Sequence, residues 1–535
     1  MGEKIPLSVV ILTKNEASRI AECLQSVAWA QERLVVDDGS TDSTVEIASS
    51  MGARILKRRM DLEGRHRNWA YSQARNEWVL SLDADERVTP ELEKEIQRLL
   101  VGHPTCEVYA IPRRNYIGHR WIRQGGWYPS AQVKLFKRSV FQWEETTVHP
   151  RAITSSSKPW GTLQGDLIHF SYRNLEDFVE KLNRQTTLEA EKWIQDGRRM
   201  SLGKALWRTV DRFVRTFWLK RGYRDGFLGF VVAVFAGFYQ FLSFAKYWHL
   251  KQGKEGKEAK EGKERAKALI SPPSPDSPPF RARLSVVILT QDAAKTIQPC
   301  LSSVAWADEV IVVDGGSTDG TLALCQAAGA KLLHQDAKDN FAQLRNAGTQ
   351  MAQGDWVLQL DADEVVTPAF RQALQQILFG PVFHAAYKFR RRNNFLGHWM
   401  RFGGWDHFSL HLFRRGRAQY EGRVHERLHV DGSIGTLREG VEHYPFRSLE
   451  EFVDRQNRYT SLEARQLVET QGPHPMKAIW RQAALKPVKL FWKMTVKKQG
   501  LREGKVGFIF AGLFAFVYFF KWAKVWEILN SEEAS

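Results

Sequence analysis

The segments Leu7-Ser-Val-Val-Ile-Leu-Thr13 and Val35-Val-Asp-Asp-Gly-Ser-Thr-Asp42 carry the strongest structural signal in this chain of 535 residues. Each begins with a short run of aliphatic, mostly β-branched residues, which is typical of a strand buried on both faces of a sheet. A third run, Trp78–Leu82, leads into Asp83-Ala-Asp85, and helical patterns separate the three runs. This alternation predicts right-handed βαβ crossovers and therefore an α/β fold with a mostly parallel, doubly wound sheet.

Most of the chain is an internal duplication. The first segment returns letter for letter as Leu284–Thr290, and the second returns as Val312-Val-Asp-Gly-Gly-Ser-Thr-Asp319. Further pairs follow in the same order: Leu82–Glu86 with Leu360–Glu364, Gly125-Gly-Trp127 with Gly403-Gly-Trp405, and Val148-His149 with Val424-His425. We therefore predict two units, residues 1–250 and 284–535, and a linker over 251–283 that is rich first in Lys, Glu and Gly and then in Pro and Ser.

The composition limits the class of protein. With 43% hydrophobic and 26% charged residues, the chain is too apolar for disorder and too polar for a many-pass membrane protein. Lys and Arg outnumber Asp and Glu by 77 to 60, and the net charge of +17 favours nucleotides, nucleic acid or anionic lipid as partners. The four cysteines form no Cys-x-x-Cys pair, which argues against a zinc site and for a reducing compartment. The N-terminus lacks a signal-peptide pattern, so we expect the bulk of the chain in the cytosol.

Paired carboxylates follow two of the predicted strands. Ligands of open α/β sheets bind beyond the carboxyl ends of the strands, where Asp83 and Asp85 lie in unit one and Asp361 and Asp363 in unit two. Mg²⁺ and Mn²⁺ prefer oxygen ligands and commonly bind through one or two carboxylates plus substrate phosphates. The alternative is a solvated acidic turn that favours the following helix.

The motif that begins at Asp37 also allows two interpretations. Gly39 suits a tight turn, and Ser40 or Thr41 could cap a helix over residues 41–50. That account leaves the adjacent carboxylates of Asp37 and Asp38 unexplained, and they are suited to accept hydrogen bonds from a base and from ribose hydroxyls. Arg67 and its counterpart Arg345 are predicted on the next helix, where they either reach a diphosphate or remain surface arginines.

Taken together, these motifs resemble the inverting glycosyltransferases of family two, and in particular lipopolysaccharide-core β-1,4-glucosyltransferase-like proteins. The motifs that carry the resemblance are Ser8–Glu16, Val36–Asp42, Leu82–Arg87, Gly125–Pro129, Val424–Glu426 and Leu219–Gly226. The resemblance covers nearly all of both units. It implies two tandem GT-A domains, each followed by apolar C-terminal helices, and sugar transfer from a nucleotide-diphosphate donor to a lipid-linked or lipopolysaccharide-core saccharide.

The resemblance also implies roles for individual residues. The nucleotide-sugar site would comprise Thr13, Asn15, Glu16, Asp37, Asp38, Arg67 and Asp83 in unit one, and Thr290, Asp314, Arg345 and Asp361 in unit two. The divalent metal, Mg²⁺ or Mn²⁺, would be held by Asp83, Asp85, Asp361 and Asp363. Glu426, the acid after Val424-His425, would be the catalytic base, with a surface pair to Arg423 or Arg427 as the alternative.

The two units depart from this pattern at different places. Unit one has Pro150 where unit two has Glu426, and Glu144 or Glu145 is offered as a substitute base. Unit two has Ala293 in place of Glu16 and Gly315 in place of Asp38. The sequence leaves open whether both units are active, whether one only binds, or whether the chain is a scaffold without turnover.

Two apolar segments near the ends of the units predict contact with a membrane. Gly226–Ala245 has no charged residue and would span about 30 Å as a helix, whereas its counterpart Val506–Phe520 would span about 22 Å. Basic stretches precede both: Lys204, Arg208, Arg212 and Arg215 beside Val210, Phe213, Phe217 and Trp218, and Lys477, Arg481, Lys489 and Lys493 beside Leu485 and Trp492.

Such basic, aromatic stretches predict an anionic membrane surface as partner, on the cytoplasmic face of the inner (plasma) membrane. The alternative is a buried hydrophobic hairpin, and the sequence does not decide whether the segments span the bilayer or lie in it. Because the positive charge lies beside apolar segments and in the linker, we expect no nucleic-acid partner.

Overall fold

The computed structural model describes residues 5–102, 104–145, 151–260, 281–335, 340–422 and 426–531. The chain divides into two compact units, Met1–Tyr247 and Trp248–Ser535. Each unit contains a mostly parallel sheet with helices packed on it, so the predicted α/β class is confirmed. Residues 261–280, which form most of the predicted linker, lie outside the described residues.

Unit one contains thirteen described strands and seven described α-helices, with a π-helix at Arg215–Leu219 and a 3-10 helix at Gly222–Asp225. The strands are β1 (Ile5–Thr13), β2 (Ala30–Asp37), β3 (Arg54–Lys57), β4 (Trp78–Asp83), β5 (Glu86–Val88), β6 (Val108–Ile111), β7 (Arg113–Ile117), β8 (Arg120–Trp121), β9 (Gln132–Lys137), β10 (Phe141–Trp143), β11 (Ala152–Thr154), β12 (Gly161–Thr162) and β13 (Leu167–Tyr172). The helices are α1 (Ile20–Ser26), α2 (Thr44–Ser50), α3 (Glu63–Ser72), α4 (Pro90–Val101), α5 (Leu175–Gln195), α6 (Leu202–Val214) and α7 (Gly226–Lys260).

The main sheet of unit one has seven strands in the order β12-β6-β9-β4-β1-β2-β3. Strands β4, β1, β2 and β3 are parallel, and β9 runs antiparallel to both β4 and β6. A second sheet, β5-β13-β7-β8, follows directly from the end of β4. Residues Val9, Val10 and Ile11 of β1 are fully buried, which explains the uninterrupted aliphatic run: helices cover both faces of this central strand.

Unit two repeats this plan with longer strands. They are β14 (Leu284–Thr290), β15 (Glu309–Asp314), β16 (Lys331–His334), β17 (Trp356–Asp361), β18 (Glu364–Val366), β19 (Ala386–Phe395), β20 (His398–Trp399), β21 (His407–Arg414), β22 (Ala418–Glu421), β23 (Arg427–Val430) and β24 (Ile434–Phe446). The helices are α8 (Ile297–Val304), α9 (Thr321–Ala327), α10 (Phe341–Met351), α11 (Pro368–Phe379), α12 (Leu449–Gln471), α13 (Met476–Trp480), α14 (Lys486–Trp492) and α15 (Gly504–Ser531). Because β19 and β24 run through both halves, the sheet is continuous, in the order β16-β15-β14-β17-β21-β19-β24-β18.

The helix after the Asp37 loop begins later than predicted. Helix α2 begins at Thr44, and the Asp42 carboxylate accepts hydrogen bonds from the backbone N–H and the hydroxyl of Thr44. The prediction that Ser40 or Thr41 caps this helix was therefore wrong. Both residues bond within the loop instead, where side chains from the neighbouring β1 loop compete successfully for their polar groups.

The two C-terminal helices are longer than the apolar segments suggested. Helix α15 has 28 residues and is about 42 Å long, so the expected limit of about 22 Å was wrong. Lys524 does not end the helix: it is 3% exposed, and its ammonium donates to the carbonyl and side chain of Asn457 and to Thr460 and Ser461. Lys246 of α7 is 4% exposed and donates to Asn183 and Thr187 in the same way. Each lysine thus ties its apolar helix to the preceding long helix.

By length and composition alone, Gly222–Gln252 and Gly500–Ser531 could cross a membrane. In the most apolar window of each segment, 78% of the first and 56% of the second is buried inside the structure. Phe235 of α7 stacks on Phe178 of α5 at 4.6 Å between ring centroids. Most of the first window and just over half of the second are therefore packed inside the structure.

The segments before these helices expose apolar and basic side chains together. The exposed apolar residues recur with helical spacing, as Trp207, Val210, Val214 and Trp218 in unit one and Leu485, Val488, Trp492 and Val496 in unit two. We call these sets the outer faces. Exposed cations lie among them, including Lys204, Arg212 and Arg215, then Lys486, Lys489 and Lys493. Phe213 and Phe217, which were expected on the apolar face, instead pack against Phe230 of α7.

Candidate functional site

Three strands of each unit end together at one edge of the sheet. Thr13 at the end of β1 lies opposite Asp37 of β2, and Leu12 lies opposite Asp83 of β4. The equivalent pairs in unit two are Thr290 with Asp314 and Leu289 with Asp361. The parallel register therefore brings the predicted donor-binding residues of each unit to one edge.

Asp37 organises the loop that follows β2. Its carboxylate is buried and accepts hydrogen bonds from the backbone N–H groups of Gly39 and Ser40 and from the Ser40 hydroxyl. Gly39 has φ of +79°, a left-handed conformation that favours glycine, so the predicted turn is confirmed. Asp314 of unit two accepts the equivalent bonds from Gly316 and Ser317. A contact of either aspartate with a nucleoside stays a prediction.

Asn15 joins the loop after β1 to this turn. Its φ is +54°, its N–H donates to the Ser40 hydroxyl at 2.8 Å, and its Oδ1 accepts from the Thr41 N–H at 2.8 Å. In unit two, Asp292 has φ of +48° and makes the same bonds to Ser317 and Thr318. Asn and Asp both tolerate the left-handed conformation and offer a side-chain acceptor, so this substitution preserves the loop.

The threonine hydroxyls at the ends of β1 and β14 lack partners. Thr13 and Thr290 are 6% and 7% exposed, and the buried Oγ1 of each has no hydrogen-bond partner within the described residues. Leaving a buried hydroxyl unpaired costs about 1–3 kcal/mol. An unpaired hydroxyl at the same site in both units, beside the Asp37 and Asp314 loops, suits a bound ligand as its partner.

Asp38 distinguishes the donor loops of the two units. Its carboxylate accepts from Lys14 Nζ at 3.0 Å and from the Met60 N–H at 2.7 Å. Burial opposes the charged form, but these two donors hold the pKa of Asp38 below its usual value. Unit two has Gly315 here, and a Cβ at Gly315 would meet its nearest atoms at 3.7 Å, an ordinary contact. Unit two therefore lacks this carboxylate although its backbone has room for one.

Glu16 lies at the other side of the loop. Burial raises its pKa, against the opposing effect of Arg19, whose Nη1 lies 3.8 Å from the Glu16 carboxylate. Arg19 also lies 3.9 Å from Asp85. Ala293 takes the place of Glu16 in unit two. The structure thus connects Glu16 to the Asp85 end of the site through one arginine.

Two cations hold Asp83. Arg67 Nη2 donates to Oδ1 at 3.1 Å, and Lys134 Nζ donates to Oδ2 at 3.1 Å. Lys134 is 3% exposed and also donates to the fully buried Glu86 at 2.6 Å. Burial favours the neutral acid, yet Arg67 and Lys134 hold the pKa of Asp83 far below its usual value. Burial likewise opposes a charged Lys134, but Asp83 and Glu86 raise its pKa.

Unit two has the same charge arrangement with a different second cation. Arg345 Nη2 donates to Asp361 Oδ1 at 2.7 Å, and Arg391 Nη2 donates to Oδ2 at 2.8 Å. At the position of Lys134 stands His411, whose pKa burial lowers to about 3, so it is neutral and cannot replace the lysine charge. Arg391 also pairs with Glu364, the counterpart of Glu86. The predicted contacts of Arg67 and Arg345 with a diphosphate stay predictions, since both guanidinium groups face the first aspartate.

His169 on β13 faces Asp85, a contact that the sequence reasoning missed. Its Nε2 lies 3.6 Å from Asp85 Oδ2, and Asp85 Oδ1 is buried with no hydrogen-bond partner among the residues that the structure describes. Asn115 donates its amide to the Trp127 carbonyl, so its Oδ1 is the atom that faces His169 Nδ1 at 2.8 Å. In the neutral ring Nδ1 must then carry the proton, and Nε2 turns a lone pair toward the carboxylate.

The same geometry recurs in unit two. His443 Nε2 lies 3.4 Å from Asp363 Oδ1, and Asn393 holds His443 Nδ1 while donating to the Trp405 carbonyl. Two acceptors that face each other require a proton or a metal cation between them. The signal that could have revealed these histidines is positional, because each lies five residues before the repeated motifs that begin at Asn174 and Ser448.

The carboxylate–histidine pairs fit a divalent cation. Within the described residues no cluster of three or more potential ligands forms. An ion here would therefore have one carboxylate and one imidazole as protein ligands and complete its shell with phosphate or water, as Mg²⁺ and Mn²⁺ commonly do. In both units the asparagine fixes the histidine tautomer, as second ligand layers do in metal sites.

Glu426 lies beside Arg345, and within the described residues it forms no ion pair with Arg427, whereas Arg423, the other surface partner considered, lies outside them. Its Oε1 accepts from Arg345 Nε at 2.7 Å, and its side chain is 14% exposed. Arg345 therefore connects Glu426 to Asp361, across the same guanidinium. Val424-His425, like Val148–Pro150 of unit one, lies outside the described residues.

The described contacts of the proposed substitute acids of unit one are with Arg65 and Arg151, and their role as a base stays a prediction. Glu145 is half-exposed and accepts from Arg65 Nε at 2.9 Å. Glu144 bonds with the backbone of Arg151. The described contacts of these acids include none with Arg67 or Asp83. A carboxylate that acts as the base of unit one would therefore be one that lies beside Arg67, as Glu426 lies beside Arg345.

A comparison with known families decides the assignment. The family model described as Glycosyl transferase family 2 matches residues 8–155 and 285–439, more than half of the chain, and includes the strand ends of both units. The chain belongs to glycosyl transferase family 2. The two matches confirm the resemblance and the tandem arrangement, and the fold is that of two GT-A domains with apolar C-terminal helices.

The alignments with curated relatives are about as long as one unit of this chain. An uncharacterized glycosyltransferase of Rickettsia typhi is 28% identical over 235 residues, which are 42% of this chain and 80% of the relative. The lipopolysaccharide core biosynthesis glycosyltransferase LpsC of Rhizobium meliloti is 25% identical over 239 residues, which are 44% of this chain and 88% of LpsC. Each match thus covers most of the relative with less than half of this chain.

Solved structures show a more distant likeness. Glucosyl-3-phosphoglycerate synthase from Mycobacterium tuberculosis, in complex with Mn²⁺, UDP-glucose and phosphoglyceric acid, aligns at 22% identity and a TM-score of 0.19 over 21% of this chain and 44% of that chain. TarS 1–349 of S. aureus, in complex with UDP-GlcNAc, aligns at 13% identity and a TM-score of 0.26 over 47% of this chain and 92% of that chain. Alignments of this quality add nothing about the substrate.

Replacing Lys134 with methionine should destabilise unit one by about 3 kcal/mol, because it leaves the buried Glu86 without its close cation. The depressed pKa of Asp83 contributes stability above its unfolded pKa of about 3.9 and loses it below. The deficit of Lys134→Met should therefore be complete at neutral pH and shrink as the carboxylates become protonated. Thermal unfolding from neutral pH down to pH about 2 measures it, because the loss begins near the unfolded pKa and continues below it. Lys137→Met, on the same strand but paired with Glu107 at the surface, should change little.

Proposed function

We propose that the chain transfers a sugar, with inversion, from a nucleotide-diphosphate donor to a lipid-linked or lipopolysaccharide-core saccharide, assisted by Mg²⁺ or Mn²⁺. The observation that supports this most is the facing pair of Asp85 and His169, at the sheet edge where Thr13 leaves its hydroxyl unpaired. A metal–diphosphate group would bind between Asp85 and His169, and the nucleoside would accept or donate a hydrogen bond at the Thr13 hydroxyl.

The donor would lie along the ends of β1, β2 and β4. Thr13 and Asp38 offer an unpaired hydroxyl and a charged carboxylate, while Asn15, Asp37 and Asp314 shape the loops that receive the nucleoside. Glu16, Arg67, Thr290, Arg345 and Asp361 are proposed for the same sites in their units. Because unit two lacks the carboxylate of Asp38, we expect its donor affinity or donor choice to differ from that of unit one.

Asp85 with His169, and Asp363 with His443, would hold the divalent cation. Bound there, the ion would act as a Lewis acid that neutralises charge developing on the departing diphosphate. Asp83 and Asp361, predicted as further ligands, have both carboxylate oxygens engaged by cations. We therefore propose that these two residues position Arg67 and Arg345 beside the ion.

The proton of the acceptor hydroxyl would pass to Glu426 in unit two. That acceptor oxygen attacks the anomeric carbon from the face opposite the nucleotide, the bond to the diphosphate oxygen breaks, and one displacement inverts the centre. Arg345 holds Glu426 through its Nε atom and Asp361 through Nη2, so one planar guanidinium fixes the base relative to the donor side. Such fixed placement is the main contribution a protein makes to a displacement of this kind.

The outer faces support a membrane-bound acceptor. Trp207 and Trp218 are 70% and 58% exposed, and Val488 and Trp492 are 67% and 59% exposed, all among cations. Aromatic and aliphatic groups that alternate with cations suit the headgroup region of anionic lipid. We propose that these faces lie on the cytoplasmic surface of the plasma membrane while α7 and α15 remain packed inside their units. The similarity to LpsC agrees with a lipopolysaccharide-core acceptor.

The direct test of the function is a donor screen. UDP-, GDP- and dTDP-sugars are incubated with the full chain and Mn²⁺, and thermal stabilisation and release of nucleoside diphosphate are measured. Stabilisation by one class of nucleotide with turnover of its sugar supports a transferase. Binding without turnover, with every donor and with membrane extract as acceptor, would identify a scaffold instead.

Asp85→Asn should abolish the Mn²⁺-dependent part of nucleoside diphosphate binding to unit one. Removing the charge of one ligand should weaken this binding by about 1.5–3 kcal/mol, roughly tenfold to a hundredfold. Titration calorimetry with UDP, with and without Mn²⁺, measures the change in a chain that also carries Asp363→Asn in unit two. Unaltered Mn²⁺ dependence in the double variant would remove the proposed metal site.

Glu426→Gln should lower the turnover of unit two by roughly 10²-fold or more, because glutamine keeps the size of the side chain but cannot accept the proton. Donor binding should not change. The measurement is made in a chain whose unit one carries Asp85→Asn, so that only unit two contributes. Glu421→Gln, at the end of β22 and exposed beside His429, is the matched control. Equal turnover of Glu426→Gln and its parent would place the base elsewhere.

The outer faces should hold the protein on anionic vesicles after a high-salt wash, because apolar insertion persists when charge is screened. Trp218→Glu combined with Trp492→Glu should reduce the bound fraction roughly tenfold or more, since each removes a large exposed apolar group that would insert into the bilayer. Flotation with phosphatidylglycerol vesicles measures it. Trp160→Glu, a 47% exposed tryptophan outside these faces, should not reduce binding. Full release of the parent by salt would contradict insertion.

A further inference from the structure

In unit one a carboxylate accepts a hydrogen bond from the Nε atom of Arg67, just as Glu426 accepts one from the Nε atom of Arg345 in unit two. Arg67 Nε donates to Glu63 Oε1 at 3.1 Å, while its Nη2 donates to Asp83. Arg345 Nε donates to Glu426, and its Nη2 donates to Asp361. The two arginines occupy equivalent positions. The asparagine after each one forms hydrogen bonds with an equivalent strand, Asn68 with Trp143 of β10 and Asn346 with Tyr420 of β22.

The two carboxylates come from different places in the sequence. Glu63 is the first residue of α3, and the same position in α10 is Phe341. Glu426 precedes β23, and the same position in unit one is Pro150. Each unit therefore has a carboxylate at one of two positions and an uncharged residue at the other, so the charge beside the arginine is kept.

The start of α3 is built for a close approach. A Cβ at Gly64 would lie 2.0 Å from the carbonyl oxygen of Glu144, so only glycine lets the helix lie this near to the segment that follows β10. The equivalent residue in unit two is Ala342. This contact brings the start of α3, where Glu63 lies, close to the segment that follows β10, and in unit two the equivalent segment leads to Glu426.

We propose that Glu63 is the acceptor base of unit one, and that both units are therefore active transferases. The inference rests on the proposed function. The acceptor hydroxyl gives its proton to a Glu63 carboxylate oxygen as that oxygen bonds to the anomeric carbon. The bond from the anomeric carbon to the diphosphate breaks, and its electron pair leaves with the nucleoside diphosphate. Glu63 remains partly exposed, so an acceptor can reach it.

The test uses the full chain with unit two silenced by Asp361→Asn and Glu426→Gln. Release of nucleoside diphosphate from UDP-, GDP- and dTDP-sugars is followed with Mn²⁺ and membrane extract. Glu63→Gln should lower kcat by roughly 10²-fold, leave the donor KM and the thermal shift with UDP and Mn²⁺ unchanged, and remove the acidic limb of the kcat profile with pH. Glu63→Asp should recover part of the loss. Glu93→Gln, also in the first turn of a helix and bonded to a residue four positions later, should have no effect.

The reciprocal test moves the carboxylate in unit two. In a chain whose unit one carries Asp85→Asn and Glu63→Gln, Glu426→Gln removes turnover, and adding Phe341→Glu should restore it at least tenfold, since the new acid would lie one turn before Arg345. A merely structural pair with the arginine would not give this rescue. Circular dichroism and thermal unfolding confirm that each variant is folded.

The outcomes separate the two proposals. If the silenced parent releases nucleotide and Glu63→Gln releases it equally fast, or if Glu63→Gln raises only the donor KM, Glu63 is not the base while unit one remains a transferase. The inference is also overturned if Glu145→Gln, and not Glu63→Gln, removes turnover. If the silenced parent releases no nucleotide from any donor, the proposed function of unit one fails together with the inference.

Discussion

Pairing of carboxylates with cations at the end of the fourth strand governs the site of each unit. Glu86 is fully buried and Asp83 is partly so, and removing carboxylates from water costs several kcal/mol unless cations compensate. Lys134 from β9 and Arg67 from α3 provide that compensation. Because these cations come from different elements, the charge cluster also fixes α3 against the sheet.

The two units keep the same charges around the first aspartate of the site, but different residues supply those charges. Arg391 supplies in unit two the second cation that Lys134 supplies in unit one, and a neutral histidine stands where the lysine was. The carboxylate on the first arginine likewise comes from Glu426 in one unit and Glu63 in the other. A lost charge in a low-dielectric site is costly, so a substitution is tolerated when another element restores the charge at the same place.

The C-terminal helices follow the same rule in an apolar setting. Lys246 and Lys524 lie inside otherwise apolar helices, and the carbonyls and side chains of the preceding long helices accept their protons. Such an arrangement fixes the register of two packed helices, because a shift by one turn would leave an ammonium buried without partners. The apolar surface that remains outside lies on the segments before these helices, where Trp207 and Trp492 are exposed among cations.

The sequence alone determined the α/β class, the duplication, the ends of the central strands and the family. Aliphatic runs that end in acids, repeated in one order, depend only on local pattern, and Thr13 with Asp37 is where that pattern placed them. It misplaced the start of α2, because the side chains of one loop compete for the polar groups of another. It also underestimated α15, because the apolar run ends before Lys521, whereas the helix continues through Lys521 and Lys524, whose ammonium groups pair with Glu463 and Asn457.

Only the tertiary structure decided which groups meet at the site. His169 faces Asp85 through a strand that lies far away in sequence, and its orientation depends on Asn115 from a third strand. The repeat could have drawn attention to the histidines. It could not show that Glu63 and Glu426 pair with equivalent arginine Nε atoms, since the two acids occupy different positions in their units. Local pattern specifies the elements, whereas a charge at one point in space can be supplied from any element that reaches it, and only the folded arrangement shows which one does.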